Sequence, residues 1–167
     1  MSPITATDIH FRLSGGAANS NQNAALGGAK STTTDASASL FDDVTGAESA
    51  SGDTEYRGIY VSNEHGTLAY LAPKVWVSPD TPSPDTDADL ALAVEGVNVA
   101  MATIADENTA PASVTFANTA ISYATGLAIP DIPAGQYKGV WLKRVVNAGA
   151  AAYADSFTVN VQGDTNP

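Results

Sequence analysis

Cysteine is absent from this 167-residue chain, and histidine occurs only twice. Without cysteine there is no disulfide framework, no thiolate metal site and no cysteine nucleophile. Basic residues are also few, since 7 Lys and Arg stand against 18 Asp and Glu for a net charge of −11. Because nucleic-acid phosphates attract basic surfaces, this charge argues against a nucleic-acid partner. No apolar run approaches the roughly 20 residues of a membrane span, so we expect no membrane partner.

The two ends of the sequence show no targeting pattern. Residues 1–5 lack the charged and apolar regions of a secretory signal. Residues 163–167 do not resemble a lipidation or retention motif. We therefore expect a protein that is made and used without crossing a membrane by itself. The length of the chain predicts one domain, 1–167.

Alternating apolar and polar residues predict β-strands along most of the chain. Residues 7–13 place Ile9, Phe11 and Leu13 on one face, which is the period of a half-buried strand. The Ala-rich stretches are short and interrupted, so no amphipathic helix is expected. Further strands are predicted within residues 56–62, 68–78, 90–94, 97–101, 114–116, 136–146 and 157–162.

Turn residues separate these strands at intervals typical of an all-β protein. Residues 63–66 contain Asn and Gly, and the three prolines of residues 79–84 predict an exposed loop. Pro73 suits a sheet edge or a bulge. About eight strands separated in this way predict an antiparallel β-sandwich. Immunoglobulin-like and jelly-roll topologies both stay open, because periodicity does not give the strand order.

The segment 14–54 differs from the rest of the chain. It is rich in small and polar residues, and its large apolar residues are Leu26, Leu40, Phe41 and Val44. So little apolar surface cannot form a separate core. We expect Leu26, Leu40 and Phe41 to anchor this segment on its own domain or on a neighbouring subunit. The chain thus divides into three parts: a first strand in 1–13, an extended loop or arm in 14–54, and the main sandwich strands in 55–167.

Three aspartates, Asp85, Asp87 and Asp89, stand at alternate positions, as in the opening of a calcium-binding loop. An EF-hand loop also needs Gly at its sixth position and Glu at its twelfth. Leu90 and Gly96 occupy those positions here, so the EF-hand motif fails. A solvated acidic loop is the expectation, and a looser calcium site is the alternative.

No set of side chains is spaced for catalysis. His10 shares a strand face with Arg12, and His65 lies in a turn, each without a partner at ligand or triad spacing. The sequence contains no nucleophile elbow, no phosphate-binding loop and no zinc-binding helix motif. We therefore assign no catalytic residue, no cofactor and no metal ligand, and we do not expect an enzyme.

Aromatic and basic residues are the remaining candidates for contacts. Trp76 and Trp141 lie in predicted strands beside Val or Leu, which favours core or subunit contacts over stacking on a carbohydrate. Lys138, Lys143 and Arg144 place three of the seven basic residues around one strand. They are candidates for docking on the acidic surface of another copy or another protein. The alternative is a solvated strand face.

Five stretches of the sequence together carry a family resemblance. They are 8–17 (DIHFRLSGGA), 40–44 (LFDDV), 55–61 (EYRGIYV), 132–137 (IPAGQY) and 140–141 (VW). These stretches resemble small virion structural proteins of tailed bacteriophages. In size and composition the chain is most similar to the capsid decoration, or cement, proteins of that group. The resemblance implies a homotrimer on the outer surface of the virion, made in the host cytoplasm, whose partner is the major capsid protein.

The sequence therefore predicts a structural component of a phage particle, which decorates and stabilises the capsid by binding major capsid subunits and copies of itself. A tail, baseplate or fibre-associated protein that acts in host attachment is one alternative. A carbohydrate-binding β-sandwich that uses exposed Trp or Tyr is the other. The candidate assembly contacts are Leu26, Leu40, Phe41, Lys138, Lys143 and Arg144.

Overall fold

The computed structural model describes residues 3–151 and 155–165. Within them the chain forms two antiparallel β-sheets with little helix, so the fold is all-β. The helical parts are α1 (Gly46–Ser51) and two 3₁₀ turns, Ala6–Asp8 and Gln22–Ala24. None of the helices in these residues has the length and apolar character that a membrane crossing needs. The strands are β1 (Ile9–Leu13), β2 (Asp53–Asn63), β3 (Tyr70–Val77), β4 (Thr86–Leu92), β5 (Leu127–Ala128), β6 (Tyr137–Val146) and β7 (Val159–Thr165).

The larger sheet has the strand order β1-β2-β6-β4, and each neighbouring pair is antiparallel. Its long central strands are β2 and β6, in which Ile59 lies opposite Val140. Because successive residues of a strand face opposite sides, Ile59 and Val61 pack into one apolar cluster and Tyr60 into another. The larger sheet therefore separates the two apolar clusters of the molecule.

The smaller sheet has the strand order β5-β3-β7. The register between β3 and β7 shifts between Leu71 and Lys74, and Pro73 lies in this irregular stretch. A proline has no N–H to donate to a neighbouring strand, so a bulge is one of the few places in a sheet that tolerates it. Of the two positions expected for Pro73, a sheet edge or a bulge, the structure shows an irregularity within the central strand of this sheet.

The main apolar core is built by both sheets. Leu13, Ile59 and Leu142 of the larger sheet are at most 1% exposed, and Val75 of the smaller sheet is fully buried. Leu40 lies outside the strands but belongs to the same cluster. Burial of this apolar surface is the main contribution to the stability of the fold.

The opposite face of the larger sheet is covered by loops. Tyr60, Met101 and Trp141 form a second buried cluster on this side. The Tyr60 hydroxyl donates to the Gly28 carbonyl oxygen and accepts from the Met101 amide at 2.7 Å. One hydroxyl thus joins two separate loops to the sheet.

The stretch of small residues after β1 runs along the edge of its own sheet. The Leu13 amide donates to the Thr34 carbonyl oxygen at 3.0 Å, and the Ala36 amide donates to the Phe11 carbonyl oxygen at 2.7 Å. These bonds occupy backbone groups on the outer edge of β1. The segment that was predicted as an extended loop or arm therefore contacts its own domain.

Two of the predicted strands are wrong. Residues 97–101 and 114–116 lie in loops, where the structure shows only isolated bridges such as Leu90 with Ala117. Asn98 has a φ of 61° in the left-handed region, and this conformation ends the alternation that the valines suggest. The predicted first strand also starts later, at Ile9, because a 3₁₀ turn occupies residues 6–8.

Two elements lie outside the sequence prediction. β5 has only two residues, which is too short for a periodic pattern. The helix α1 is marked in the sequence by Thr45 and Glu48, a pair that forms a capping box in the structure. The Glu48 amide donates to Thr45 Oγ1 at 3.3 Å, and the Thr45 amide donates to the Glu48 carboxylate at 2.6 Å. This spacing is a known signal for the start of a helix.

Candidate functional site

Two arginines and a glutamate share one face of the larger sheet, near the start of β2 and the end of β6. Glu55 lies directly opposite Arg144 in the strand register, so the two side chains share a face. Arg57, two residues further along β2, points to the same side. The exposed fractions are 2% for the Glu55 side chain, 0% for Arg57 and 13% for Arg144. Charges buried to this extent require partners.

Arg57 connects the sheet to two loops. Its Nε donates to the Leu40 carbonyl oxygen at 3.0 Å, and its Nη2 donates to the carboxylate of Glu107. Its Nη1 also donates to the carbonyl oxygen of Tyr56 at 3.2 Å. Because hydrogen bonds from a cation are stronger than neutral ones, Arg57 fastens the backbone at Leu40 firmly to β2.

Arg144 makes a parallel connection from β6. Its Nη1 donates to the Asp42 carbonyl oxygen at 2.6 Å, and its Nη2 donates to the carboxylate of Glu55. The Asp42 carboxylate lies 3.6 Å from the same guanidinium group. The backbone on both sides of Phe41 is therefore held by a buried arginine. We refer to the five charged residues of this site as the arginine cluster: Asp42, Glu55, Arg57, Glu107 and Arg144.

Both guanidinium groups lie over the Phe41 ring. Its centroid is 5.4 Å from Cζ of Arg57 and 5.1 Å from Cζ of Arg144, both within the range of cation–π contacts. On another side it meets Phe157 edge-to-face at a centroid distance of 6.0 Å. Phe41 therefore joins the arginine cluster to the residues that precede β7.

The surroundings of Glu55 in the cluster shift the pKa of its carboxyl group. Burial raises the pKa of Glu55 from 4.5 to about 7, Arg144 opposes the rise, and the Asp42 charge adds to it. Three carboxylates face two guanidinium groups, so the cluster carries one excess negative charge when every group is ionised. Protonation of Glu55 removes that excess.

The three carboxylates of the cluster also lie close enough together to be compared with a metal site. Oxygens of Asp42, Glu55 and Glu107 lie within 4.8 Å of one another. Each of these carboxylates also contacts an arginine. A metal ion would have to compete with two guanidinium cations for the same oxygens. This donor set fits an ion-pair network, and we assign no metal to it.

The structure brings together three of the six candidate assembly contacts, Leu40, Phe41 and Arg144. The other three lie elsewhere and also have partners within the chain. Lys143 forms an ion pair with the buried Asp89 on the opposite face of the sheet. Lys138 is only 5% exposed and donates to backbone carbonyl oxygens, one of them that of Ala93 at 2.7 Å. Leu26 is half-buried.

The three alternating aspartates do not form a loop site. Asp87 and Asp89 lie within strand β4, and Asp89 is directly opposite Lys143. Burial raises the pKa of Asp87, and the charge of Asp80 adds to this effect. Among the residues that the structure describes, the carboxylates of Asp85, Asp87 and Asp89 do not converge as a set of metal ligands. The expectation of a solvated loop was therefore wrong for Asp87 and Asp89, which lie in a strand, and Asp89 is in addition buried.

The histidines have structural partners that the sequence could not indicate. His10 Nδ1 lies 2.9 Å from the Asp35 carboxylate, and Arg12 contacts Asp35 at 3.1 Å. Arg12 also donates two hydrogen bonds to Glu64, which lower the pKa of Glu64 to about 2. The ring of His65 accepts hydrogen bonds from backbone amides of its own turn. Both histidines thus stabilise local structure.

Trp76 and Trp141 have different environments. Trp141 is 2% exposed and lies in the second apolar cluster. Trp76 is partly exposed and meets Tyr123 edge-to-face at 5.8 Å. Tyr123 is 41% exposed, and Lys74 Nζ lies 5.0 Å from its ring centroid. An aromatic pair with an adjacent cation is therefore accessible on the outer side of the smaller sheet.

Four members of the arginine cluster were missed as site residues: Asp42, Glu55, Arg57 and Glu107. The sequence does contain a signal for two of them. Glu55 and Arg57 continue the alternation of Ile59 and Val61, and this period places charged side chains on the core face of β2. A charge on a core face must find a partner. Glu107 carries no such local pattern.

Comparisons with protein-family models, with curated proteins and with solved structures give no match to this chain. The function therefore has to be argued from the residues themselves. Those residues form the arginine cluster beneath the backbone of 40–42, an ion-pair network around Arg12, and an exposed aromatic pair at Trp76 and Tyr123.

Proposed function

We propose that this protein is a structural component of a tailed-phage particle, where it decorates and stabilises the capsid by binding major capsid subunits and copies of itself. The observation that carries the proposal is the arginine cluster, in which buried Arg57 and partly buried Arg144 hold the backbone of 40–42 on the sheet. Charged side chains are used here to make a loop rigid. Rigidity lowers the entropy cost of binding, and a particle multiplies each contact over many copies.

The strand order supports an immunoglobulin-like sandwich in preference to a jelly roll. An immunoglobulin constant-type domain has strands A, B, E and D in one sheet and C, F and G in the other. The order β1-β2-β6-β4 corresponds to A-B-E-D, and the pairing of β3 with β7 corresponds to C with F. A jelly roll has eight strands in two Greek keys. A sandwich of this kind is a common scaffold for surface proteins, which fits the proposed role.

The outer side of the segment 14–54 is the surface we propose for contacts with neighbouring subunits. Leu40 and Phe41 anchor the segment from beneath, while Val44 is 39% exposed and α1 contains no buried residue. Small side chains allow another backbone to approach closely. We propose that the protein forms a homotrimer and occupies the outer surface of the virion.

Binding to heads is the direct test. Purified protein is mixed with undecorated capsids, with tails as the matched control, and the bound fraction is measured by co-sedimentation. We expect saturable binding to capsids, together with a higher temperature of capsid disruption. Mass spectrometry of intact particles then gives the copy number. Binding to tails alone would overturn the capsid assignment.

A role in host attachment, as a tail or fibre-associated protein with a carbohydrate-binding surface, is the second candidate. The pair of Trp76 and Tyr123 favours it, because an accessible aromatic ring offers a flat apolar face on which a sugar can stack. Sugar titration should then change the tryptophan fluorescence. Trp76→Phe should abolish the change, whereas the buried Trp141 should contribute nothing to it. A signal that survives in Trp76→Phe would exclude this surface.

A further inference from the structure

The outer edge of β7 has no backbone partner among the described residues. Thr158 exchanges backbone hydrogen bonds with residues 78–79, at the end of β3. Because the direction of backbone groups alternates along a strand, the N–H and C=O groups of Val159 and Val161 point away from β3. The backbone hydrogen bonds of the described residues include none to these groups from outside the sheet.

The other sheet edges are protected. The Leu13 and Phe11 backbone groups of β1 bond to the stretch around Thr34. The β4 edge receives a hydrogen bond from the Ala117 amide to the Leu90 carbonyl oxygen at 2.8 Å. β5 is only two residues long. Natural proteins cover or shorten their edges to prevent association, so an open seven-residue edge on β7 requires an explanation.

The proposed strand order gives that explanation. In an immunoglobulin-like domain the strand beside F is G, and F corresponds here to β7. Val159 and Val161 of β7 remain partly exposed, whereas Val75 and Val77 of the neighbouring strand are 0% and 2% exposed. The side chains at this edge therefore lack the cover that another strand would supply.

We propose that β7 pairs with β7 of a second copy of this chain, in antiparallel orientation. The charge pattern supports a second copy as the occupant. The chain carries a net charge of −11, yet Asp164 is the one charged residue in β7. When Gln162 lies opposite its counterpart, Asn160 of each copy lies opposite Asp164 of the other. Asn160 is uncharged, and its amide already donates to the Ser78 carbonyl oxygen at 2.8 Å. No like charges are therefore opposed across the contact.

The pairing joins two three-stranded sheets into one of six strands. It is isologous, because the same residues contribute from both copies, and it closes at two copies. The trimer proposed above needs a different, heterologous contact. The inference rests on the immunoglobulin-like strand order but not on binding to a capsid, so the two proposals can fail separately.

Cysteine cross-linking tests the register. The chain contains no cysteine, so Gln162→Cys introduces a single thiol. Residues opposite each other in a non-hydrogen-bonded antiparallel pair have Cβ atoms about 4.5–5.5 Å apart, close enough for a disulfide after a small adjustment. We expect Gln162→Cys to give a disulfide-linked dimer on a non-reducing gel. The matched control Gln136→Cys, on a loop before β6, should stay uncross-linked.

A backbone variant tests the pairing independently of thiol chemistry. The N–H of Val161 points away from β3, so Val161→Pro removes a donor from the open edge and leaves the β3 bonds in place. Sedimentation velocity should show that the Val161→Pro assembly contains half as many copies of the chain as the wild-type assembly. The circular dichroism spectrum should be unchanged. If Val161→Pro fails to fold, Asn160→Asp replaces it, because it opposes like charges at both ends of the pairing.

Two results would overturn the proposal. The first is a Gln162→Cys protein that cross-links no better than Gln136→Cys. A second copy would then not pair with β7, and a strand from another protein would be the alternative. The second is a wild-type association that persists unchanged in a folded Val161→Pro or Asn160→Asp protein.

Discussion

Arg57 is a buried cation and Arg144 a partly buried one, and their main partners are backbone carbonyl oxygens and carboxylates of distant residues. The net contribution of such a pair to stability is small, because the cost of desolvation offsets much of the attraction. Removing one partner is a different matter, since it leaves the other charge buried and unpaired. The cluster therefore makes the position of the loop at residues 40–42 specific, and it penalises any arrangement in which the loop has moved.

Removal of the Arg144 charge should be strongly destabilising. Arg144→Met leaves the carboxylate of Glu55, whose side chain is 2% exposed, without its cation. We expect a loss of about 3–5 kcal/mol in the free energy of unfolding at about pH 9, where Glu55 of the wild type is ionised. The loss should be smaller at about pH 7, because Glu55 can then take up a proton. Urea denaturation at both pH values measures it. The double variant Arg144→Met/Glu55→Gln removes both charges and should recover part of this loss. A double variant as unstable as Arg144→Met would show that the unpaired charge is not the cause.

The raised pKa of Glu55 predicts a pH dependence of stability. Between its ordinary value of 4.5 and about 7, the folded protein holds the Glu55 proton while the unfolded chain has released it. The contribution of Glu55 to the free energy of unfolding therefore falls as pH rises through this window, and it levels off above about 7. Glu55→Gln has no proton to release. Relative to wild type, it should be more stable at about pH 8 than at about pH 5.5.

Glu64→Gln is the matched control for this pH dependence. The pKa of Glu64 is lowered to about 2, so its stabilising contribution is lost only as pH falls from about 4.5 towards 2. Its difference from wild type should stay nearly constant between about pH 5.5 and about pH 8. Urea denaturation at both pH values measures the two variants. A constant difference for Glu55→Gln as well would contradict the assignment of Glu55.

At the scale of elements, strands with a clean alternation were predictable and the loops that bind them were not. β1 and β7 show strict period two, and the structure confirms a strand at each place. The arginine cluster was not predictable as a whole, because Asp42, Glu55 and Glu107 are far apart in the sequence. The β2–β6 register and the path of two loops bring them together. Local patterns carry no information on such contacts.

The stability of the loop at residues 40–45 should depend on Phe41. Phe41→Ala removes the edge-to-face contact with Phe157 and both cation–π contacts. Because the ring is half-buried, we expect a loss of about 2 kcal/mol in stability, together with faster proteolysis within residues 14–52. Val44→Ala is the control, since Val44 is 39% exposed and should change neither measurement. Equal cleavage rates for Phe41→Ala and wild type would show that the arginines alone hold the loop.

At the scale of the whole molecule, charge sets the conditions for association. A net charge of −11 gives two approaching copies a long-range repulsion. Basic side chains would reduce this repulsion, but Lys138, Lys143 and Arg144 are engaged in hydrogen bonds and ion pairs within the chain. β7 offers a site where the local charge is low. The same molecule thus combines general repulsion with one edge that permits close approach.

This combination predicts that self-association strengthens with salt. Raising the ionic strength from about 10 mM to about 150 mM shortens the screening length from about 30 Å to about 8 Å. The repulsion between the acidic copies then weakens, while the backbone hydrogen bonds of a β7–β7 pairing stay intact. Sedimentation velocity over a series of protein concentrations should give a dimer dissociation constant several-fold lower at the higher salt. The Val161→Pro protein, without the edge donor, should show no such change. Tighter dimers at low salt would instead mean that opposite charges attract across the contact. Because Asp164 is the one charged residue of β7, β7 would then not be the surface that forms the dimer.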